Sequence, residues 1–212
     1  MGPTVGPTVE PSPERARVAG LLLAAGAGRR MGGPKALLRD ADGTAWVTRS
    51  ARTLLAAGCA PVLVVVGAAA EEVAGLLPPG VDVVRAEDWD EGMGASLRAG
   101  LAALARRPEP ADAVLVALVD TPGVTPEVLA RLTALGSSDV LARAGYAGLP
   151  GHPVLIGRAH WDGVAATARG DAGARGYLAG HQVAQVECGD LGDGRDVDRP
   201  SDLALPPPTL GT

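Results

Sequence analysis

The sequence predicts an α/β protein, a three-layer α/β/α sandwich built around a mostly parallel sheet. Short apolar runs alternate along the chain with segments of helical periodicity, which is the order of repeated βαβ units. Several of these runs are unbroken stretches of Val and Leu, as expected of strands that are covered on both faces. The chain has 212 residues, a length that suits one domain with a sizeable core.

Seven apolar segments are predicted as strands, and three amphipathic segments are predicted as helices. The helix at 44–57 stops at a glycine, and the helix at 94–107 carries its leucines on one face. The helix at 125–135 begins with Thr125 as N-cap and Pro126 at its first position. The predicted strands are residues 18–23, 61–66, 81–84, 113–119, 139–143, 153–156 and 183–187.

Composition limits the class of function. Net charge is −5, no run is rich in Lys and Arg, and Phe is absent, so nucleic-acid binding is disfavoured. Cys59 and Cys188 stand alone, without zinc-ligand spacing. We expect a disordered tail at 1–17, one domain at 18–205 and a flexible tail at 206–212. With no signal-like segment and no run of membrane-spanning length, a cytoplasmic, soluble protein is expected.

The first predicted strand runs directly into a glycine-rich loop with positive charge, GAGRRMGGPK. Its glycines follow G-x-G-x-x-x-G, one residue out from the dinucleotide-binding fingerprint. The P-loop is disfavoured too, because Ala36 stands after Lys35 where a Mg²⁺-binding hydroxyl is needed. Arg29, Arg30 and Lys35 lie within seven residues at the carboxyl end of a strand. This arrangement favours phosphate binding over a plain strand–helix turn.

Carboxylates are the second candidate feature. Asp120 ends a hydrophobic strand, where side chains face the ligand crevice of an open α/β sheet. The alternative is a turn residue, since Pro122 and Gly123 follow. Asp198 lies in the closing segment GDGRDVDRPSDL, where starting a helix after Pro200 is the alternative.

The segment LAAGAGRRMGGPK resembles the signature of the MobA-like NTP-transferase superfamily, enzymes that use a nucleoside triphosphate to build a pyrophosphate-linked product. The resemblance spans about 18–205 and implies a Rossmann-like sheet of the nucleotide-diphospho-sugar transferase type. It also implies that the loop amides, including Gly28, cradle the triphosphate while Arg30 and Lys35 neutralise its charge. Arg29 does not match the pattern. The matching residues are Leu23, Ala24, Ala25, Gly26, Arg30, Met31, Gly32, Pro34 and Lys35.

The same resemblance makes Asp120 the Mg²⁺ ligand, Mn²⁺ being an alternative, and Asp198 the second ligand. The closing segment matches the family's final motif except that Arg199 replaces Thr and Ser201 replaces Glu.

Three further segments resemble the narrower group of molybdenum-cofactor cytidylyltransferases. EDWDEGMGASL is similar to a loop of their nucleotide pocket, which implies that Gly92, Met93 and Ser96 contact nucleotide. GLPGHPV and GDAGAR are similar to acceptor-facing motifs, which implies that His152 and Arg175 contact a pterin carrying a phosphate. No role is assigned to His160 or His181.

The resemblance implies transfer of CMP from CTP to the terminal phosphate of a molybdopterin-type cofactor, with release of pyrophosphate. A molybdenum-dependent client enzyme is a further possible partner; no nucleic acid or membrane is expected. One alternative is an enzyme that uses GTP or another NTP on a different phosphorylated acceptor. Another is a non-catalytic protein that delivers the cofactor. A nicotinamide oxidoreductase is disfavoured, because the second strand ends in VVVGAAA without an acidic residue.

Overall fold

The computed structural model describes residues 16–204 and arranges them around one seven-stranded sheet. The predicted tails at 1–17 and 206–212 lie outside the described residues, apart from residues 16 and 17. The strands are β1 (Val18–Leu23), β2 (Val62–Val66), β3 (Val81–Arg85), β4 (Ala113–Leu118), β5 (Leu141–Tyr146), β6 (Leu149–Gly157) and β7 (Ala184–Glu187).

Strand order in the sheet is β3-β2-β1-β4-β6-β5-β7. Neighbours pair in parallel except at β6, which runs antiparallel to both β4 and β5. The predicted α/β fold with a mostly parallel sheet is therefore confirmed, with one reversed strand.

Six α-helices cover the two faces of this sheet within the described part of the chain. Side chains of the first, second and fourth helices pack on one face, and those of the third, fifth and sixth pack on the other. Every residue of β1, β2 and β4 is buried, which explains their unbroken Val and Leu runs. The helices are α1 (Trp46–Ala56), α2 (Ala70–Ala74), α3 (Met93–Ala105), α4 (Pro126–Thr133), α5 (Trp161–Thr167) and α6 (Arg175–Ala179).

The helices predicted at 44–57, 94–107 and 125–135 are α1, α3 and α4, each slightly shorter than predicted. Thr125 caps α4 as expected, its hydroxyl accepting the N–H of Val128 at 3.4 Å. Helices α2, α5 and α6 were not predicted; they have only five to seven residues. Among the described helices, none has the length and apolar character needed to cross a bilayer.

A tight hairpin joins β5 to β6, and it makes both strands longer than the predicted 139–143 and 153–156. Its two turn residues, Ala147 and Gly148, have φ of 51° and 78°, values that belong to a type I′ turn. The Glu187 carboxylate accepts both of their N–H groups, at 3.0 and 3.1 Å. These backbone donors lower the pKa of Glu187.

This topology gathers polar residues at one edge of the sheet. The parallel strands β2, β1 and β4 end there, so the loops that follow them are neighbours. Because β6 is reversed, its opening residues lie at the same edge, with Val154 opposite Val116 of β4. His152, near the start of β6, is therefore brought beside the end of β4.

Candidate active site

The loop after β1 offers a row of free backbone donors. The N–H groups of residues 26–30 donate to no acceptor within residues 16–204, and all five residues line one cavity. Backbone N–H groups rarely stay unpaired unless water or a ligand meets them. Successive N–H groups that face one concavity are a common binding arrangement for phosphate.

Gly28 determines the shape of this loop. Its φ is +59°, and a Cβ atom there would lie 1.9 Å from the carbonyl oxygen of Gly33. The Gly28 carbonyl in turn accepts the N–H of Met31 at 2.8 Å and that of Gly33 at 3.3 Å. A side chain at position 28 would therefore open the loop, which explains the glycine physically.

Lys35 bridges the two predicted metal-binding carboxylates. Its Nζ donates to Asp120 Oδ2 at 2.8 Å and to Asp198 Oδ1 at 2.5 Å, and its side chain is only 14% exposed. Burial alone lowers the pKa of the Lys35 ammonium, but the two carboxylates outweigh burial and raise it. Lys35 is consequently a fixed positive charge between two carboxylates.

Arg30 completes this arrangement from the exposed side. Its Nη1 lies 3.3 Å from Asp198 Oδ2, and its side chain is 70% exposed. The hydrogen bond from Lys35 lowers the pKa of Asp198 despite partial burial, so that this carboxylate stays ionised. The structure thus brings together Arg30, Lys35, Asp120 and Asp198, which are far apart in the sequence.

The C-terminal segment is held against β4 by backbone contacts. The N–H of Val197 donates to the carbonyl of Asp120 at 2.9 Å. Asp202 Oδ2 accepts the N–H groups of Asp198 and Arg199 at 2.9 and 2.8 Å. These contacts explain how a carboxylate almost 80 residues away reaches the end of β4.

Two carboxyl groups here have features that matter for a ligand. Asp120 Oδ1 is buried and makes no hydrogen bond within the described chain. The Asp196 residue as a whole is exposed, but the surrounding protein removes part of the water from its carboxyl group, which lies near Asp120 and Asp198. Desolvation and these two charges raise the pKa of Asp196 to about 6. No group of three His, Cys, Asp or Glu side chains within residues 16–204 could alone hold a metal ion.

The start of α3 forms the opposite wall. A Cβ atom on Gly92 would lie 2.7 Å from Asp171 Oδ1, and one on Gly94 would lie 2.7 Å from the nitrogen of Arg169. The two glycines therefore let α3 approach the 168–171 segment closely, which brings Asp171 into the wall. Ser96 is buried, and its hydroxyl makes no hydrogen bond with a described residue.

These elements enclose a cavity of about 470 Å³. It contains most of the predicted site residues, including Leu23, Ala25, Gly92 and Met93. Ala24 does not line it; its side chain is buried in the core and its N–H donates to Val65.

The cavity has seven further lining residues that were not assigned a role from the sequence. They are Ala27, Arg29, Trp89, Asp90, Leu118, Val119 and Asp171. Trp89 lies against Gly67, where a Cβ atom would come within 2.5 Å of the tryptophan Cβ. A signal for Trp89 was present, because an aromatic residue, rare in this chain, lies three positions before Gly92 in the segment EDWDEGMGASL.

His152 and Arg175 lie outside this cavity. His152 is nevertheless close enough to Asp120 for that charge to act on its ring, and Arg175 and Arg143 act on it from other elements. Burial, the largest effect, lowers the pKa of His152. The two predicted acceptor residues therefore belong to a neighbouring cluster beyond β4.

The model of the MobA-like NTP transferase domain matches residues 20–186. The chain belongs to this family. The predicted resemblance to the MobA-like NTP-transferase superfamily is thus confirmed.

Comparison with known proteins and solved structures adds to this finding. Nicotine blue oxidoreductase of Paenarthrobacter nicotinovorans is 40% identical over 194 residues, which cover 85% of this chain and 92% of that protein. Rv0371c of Mycobacterium tuberculosis superposes with a TM-score of 0.74 at 29% identity, covering 89% of this chain and 96% of that one. A complex of Rv0371c with manganese has also been solved.

A nucleotidyl transferase from Methanothermobacter shares the fold, with a TM-score of 0.73 at 24% identity, covering 88% of this chain and 94% of that one. The relative of 40% identity is thus named as an oxidoreductase, whereas the protein named as a nucleotidyl transferase shares the fold.

Proposed function

We propose that this protein transfers CMP from CTP to the terminal phosphate of a molybdopterin-type cofactor and releases pyrophosphate. The observation that carries the proposal is the Lys35 bridge between Asp120 and Asp198, beside five unpaired loop N–H groups. An ammonium and a row of amides suit a triphosphate, and carboxylates suit the cation that accompanies it.

The reaction joins an acceptor phosphate oxygen to the α-phosphorus of the nucleotide. The bond between the α-phosphorus and the bridging oxygen breaks, and its electron pair leaves with pyrophosphate. The attacking phosphate is already anionic, so the chain need not supply a base. Residues 26–30 hold the leaving phosphates, and Arg30 and Lys35 stabilise the charge that builds on them.

A divalent cation fits the donor set. Asp120 Oδ1 is buried without a hydrogen-bond partner among residues 16–204, and Asp198 is a second carboxylate that accepts from the Lys35 ammonium. Mg²⁺ is usually bound by one or two carboxylates together with substrate phosphates. Asp120 and Asp198 would therefore hold Mg²⁺ or Mn²⁺, which supplies charge neutralisation at the phosphates when bound. The manganese complex of Rv0371c supports a divalent cation in a related protein.

The nucleotide base is assigned to the region of Ala25, Trp89 and Ser96. Trp89 offers an aromatic face on the cavity wall, and Ser96 a hydroxyl without a described partner. Ala25 gives the loop the Ala-Ala-Gly form that resembles CTP-using relatives, and this favours CTP over GTP.

A second candidate function is that of an oxidoreductase acting on nicotine blue. The 40% identity with nicotine blue oxidoreductase favours it. The bridged carboxylates and the free loop amides favour nucleotidyl transfer. A non-catalytic delivery protein is less supported, because Arg30, Lys35 and Asp120 are all in place.

The test is to incubate the protein with each NTP, Mg²⁺ or Mn²⁺ and a molybdopterin-type acceptor, and to detect the product by mass. The proposal predicts a CMP adduct and one pyrophosphate per adduct. A parallel reaction with nicotine blue and a reduced nicotinamide dinucleotide tests the second candidate. Loss of the visible absorbance of nicotine blue, without any pyrophosphate in the first reaction, would replace the proposal.

A further inference from the structure

Arg143, which was assigned no role from the sequence, is a cation without an ion-pair partner in the described part of the chain. It forms no ion pair or hydrogen bond through its side chain within residues 16–204, and its Nε is buried and unsatisfied. A guanidinium carries five N–H donors, and leaving a buried charged donor unpaired costs free energy. Such a cost is tolerated where a ligand supplies the missing acceptor.

The strand pattern fixes which face of the sheet Arg143 occupies. Its neighbours Ala142 and Ala144 are fully buried in the core on the face of α1 and α4. Leu141 and Val154, the latter paired with Arg143, belong to the opposite core beneath α3, α5 and α6. Arg143 therefore extends toward the layer in which Arg175 begins α6.

Two arginines from different elements lie within electrostatic range of His152. Arg143 of β5 and Arg175 of α6 both act on the ring of His152 of β6. Neither arginine forms an ion pair with a carboxylate of the described chain. The nearby carboxylate, Asp120, is already bonded to Lys35 at 2.8 Å. The cluster thus carries positive charge that no carboxylate of residues 16–204 neutralises through an ion pair.

The basic cluster and the triphosphate loop lie on opposite sides of β4, where Asp120 is located. The triphosphate loop follows β1, whereas Arg143 and His152 lie on β5 and β6, on the far side of β4. In phosphoryl-type transfer, the attacking and leaving oxygens lie roughly in line on opposite sides of phosphorus. A group that enters over β5 and β6 approaches Asp120 from the side opposite the loop.

We propose that Arg143, together with His152 and Arg175, binds the phosphomonoester of the acceptor and so selects an acceptor that carries one. This inference rests on the proposed nucleotidyl transfer. The planar guanidinium of Arg143 accommodates two oxygens of a phosphate at once, which an ammonium does not do. Its terminal nitrogens make no hydrogen bond with the described chain and are available for this contact.

The test compares Arg143→Gln with two arginine controls. Arg158→Gln makes the same charge change at an exposed position at the far end of β6. Arg30→Gln alters the triphosphate loop instead. Binding of phenyl phosphate and of benzoate is measured by ligand-observed NMR, with and without saturating CTP and Mg²⁺.

Arg143→Gln is expected to weaken phenyl phosphate binding about 10- to 100-fold, with Arg143→Lys between it and the unaltered protein. Arg158→Gln should leave this binding unchanged, and CTP affinity should stay within about two-fold for Arg143→Gln. Because the Arg143 side chain has no hydrogen-bond or ion-pair partner among the described residues, its replacement should not lower Tm. A merely structural arginine would give a lower Tm.

Three results would overturn the assignment. They are unchanged phenyl phosphate binding in Arg143→Gln, a fall in Tm that accompanies lost CTP binding, or benzoate binding as tight as phenyl phosphate binding. Failure of the proposed function gives a different result: no CTP binding or pyrophosphate release by the unaltered protein, while phosphate binding still depends on Arg143 and not on Arg30.

Discussion

Replacing Lys35 by methionine tests the charge arrangement of the site most fully. The substitution keeps the length of the side chain and removes the ammonium from between Asp120 and Asp198. Charge-assisted hydrogen bonds contribute roughly 1.5–3 kcal/mol each when enclosed, but less than about 1 kcal/mol at exposed positions. The Asp120 contact is largely enclosed, whereas the Asp198 side chain is 47% exposed.

The free energy of unfolding should therefore fall by about 2–3 kcal/mol in the absence of metal. For a domain of this size, such a loss lowers Tm by roughly 4–12 °C. Mg²⁺ should restore part of the stability of Lys35→Met, because a cation can occupy the place between the carboxylates. It should not restore turnover, since the charge on the leaving phosphates is still unneutralised. We expect kcat to fall about 10²–10³-fold.

Calorimetric melts with and without Mg²⁺, combined with a pyrophosphate-release assay, measure both effects. Arg29→Met is the matched control, because Arg29 is an exposed cation of the same loop without an ion pair in the described chain. Turnover of Lys35→Met within a few-fold of the unaltered protein would refute the reasoning. An equal loss in Arg29→Met would show that only the overall loop charge matters.

Three other substitutions have defined outcomes. Asp120→Asn should remove the Mg²⁺ dependence of CTP binding in titration calorimetry, and unchanged dependence would exclude Asp120 as ligand. Gly28→Ala should weaken CTP binding at least about ten-fold because its Cβ would meet Gly33, whereas Gly176→Ala, which faces open space at ordinary φ, should not. The pKa of His152 is lowered in the folded protein from its ordinary value of 6.5. As pH falls below 6.5, the unfolded chain therefore binds a proton at this position before the folded protein does, and the free energy of unfolding decreases. In urea unfolding at a series of pH values, the free energy of unfolding should decrease less steeply with falling pH for His152→Gln than for the unaltered protein. The same pH dependence in both proteins would contradict the burial of a neutral ring.

The central strands could be predicted well because their hydrophobic pattern is visible within each short segment of the sequence. Unbroken Val and Leu runs such as β1 and β2 have few stable positions other than between two helical layers. The β5–β6 hairpin was underestimated because polar residues, Arg143 and His152, interrupt its apolar pattern. Its turn is formed by Ala147 in a left-handed conformation, which sequence seldom indicates. The five-residue helix α6 ends at Gly180, but it is too short to show helical periodicity and is stabilised by packing.

In the candidate site, too, features that depend on local sequence could be predicted, whereas features that depend on tertiary packing could not. Arg30, Lys35, Asp120 and Asp198 could be found because each follows a strand or lies in a recognisable motif. Their bridging by one ammonium could not, because it depends on how the C-terminal segment returns to β4. Asp171 reaches the cavity only through close packing of glycines at the start of α3, a tertiary effect.

A crystal structure with CTP and Mn²⁺ tests the central claim most directly, since the anomalous signal of manganese locates the cation independently of the nucleotide. The account predicts a triphosphate over the N–H groups of residues 26–30 and a manganese peak within coordination distance of Asp120 and Asp198. A nucleotide bound elsewhere, or a manganese peak remote from Asp120, would contradict it.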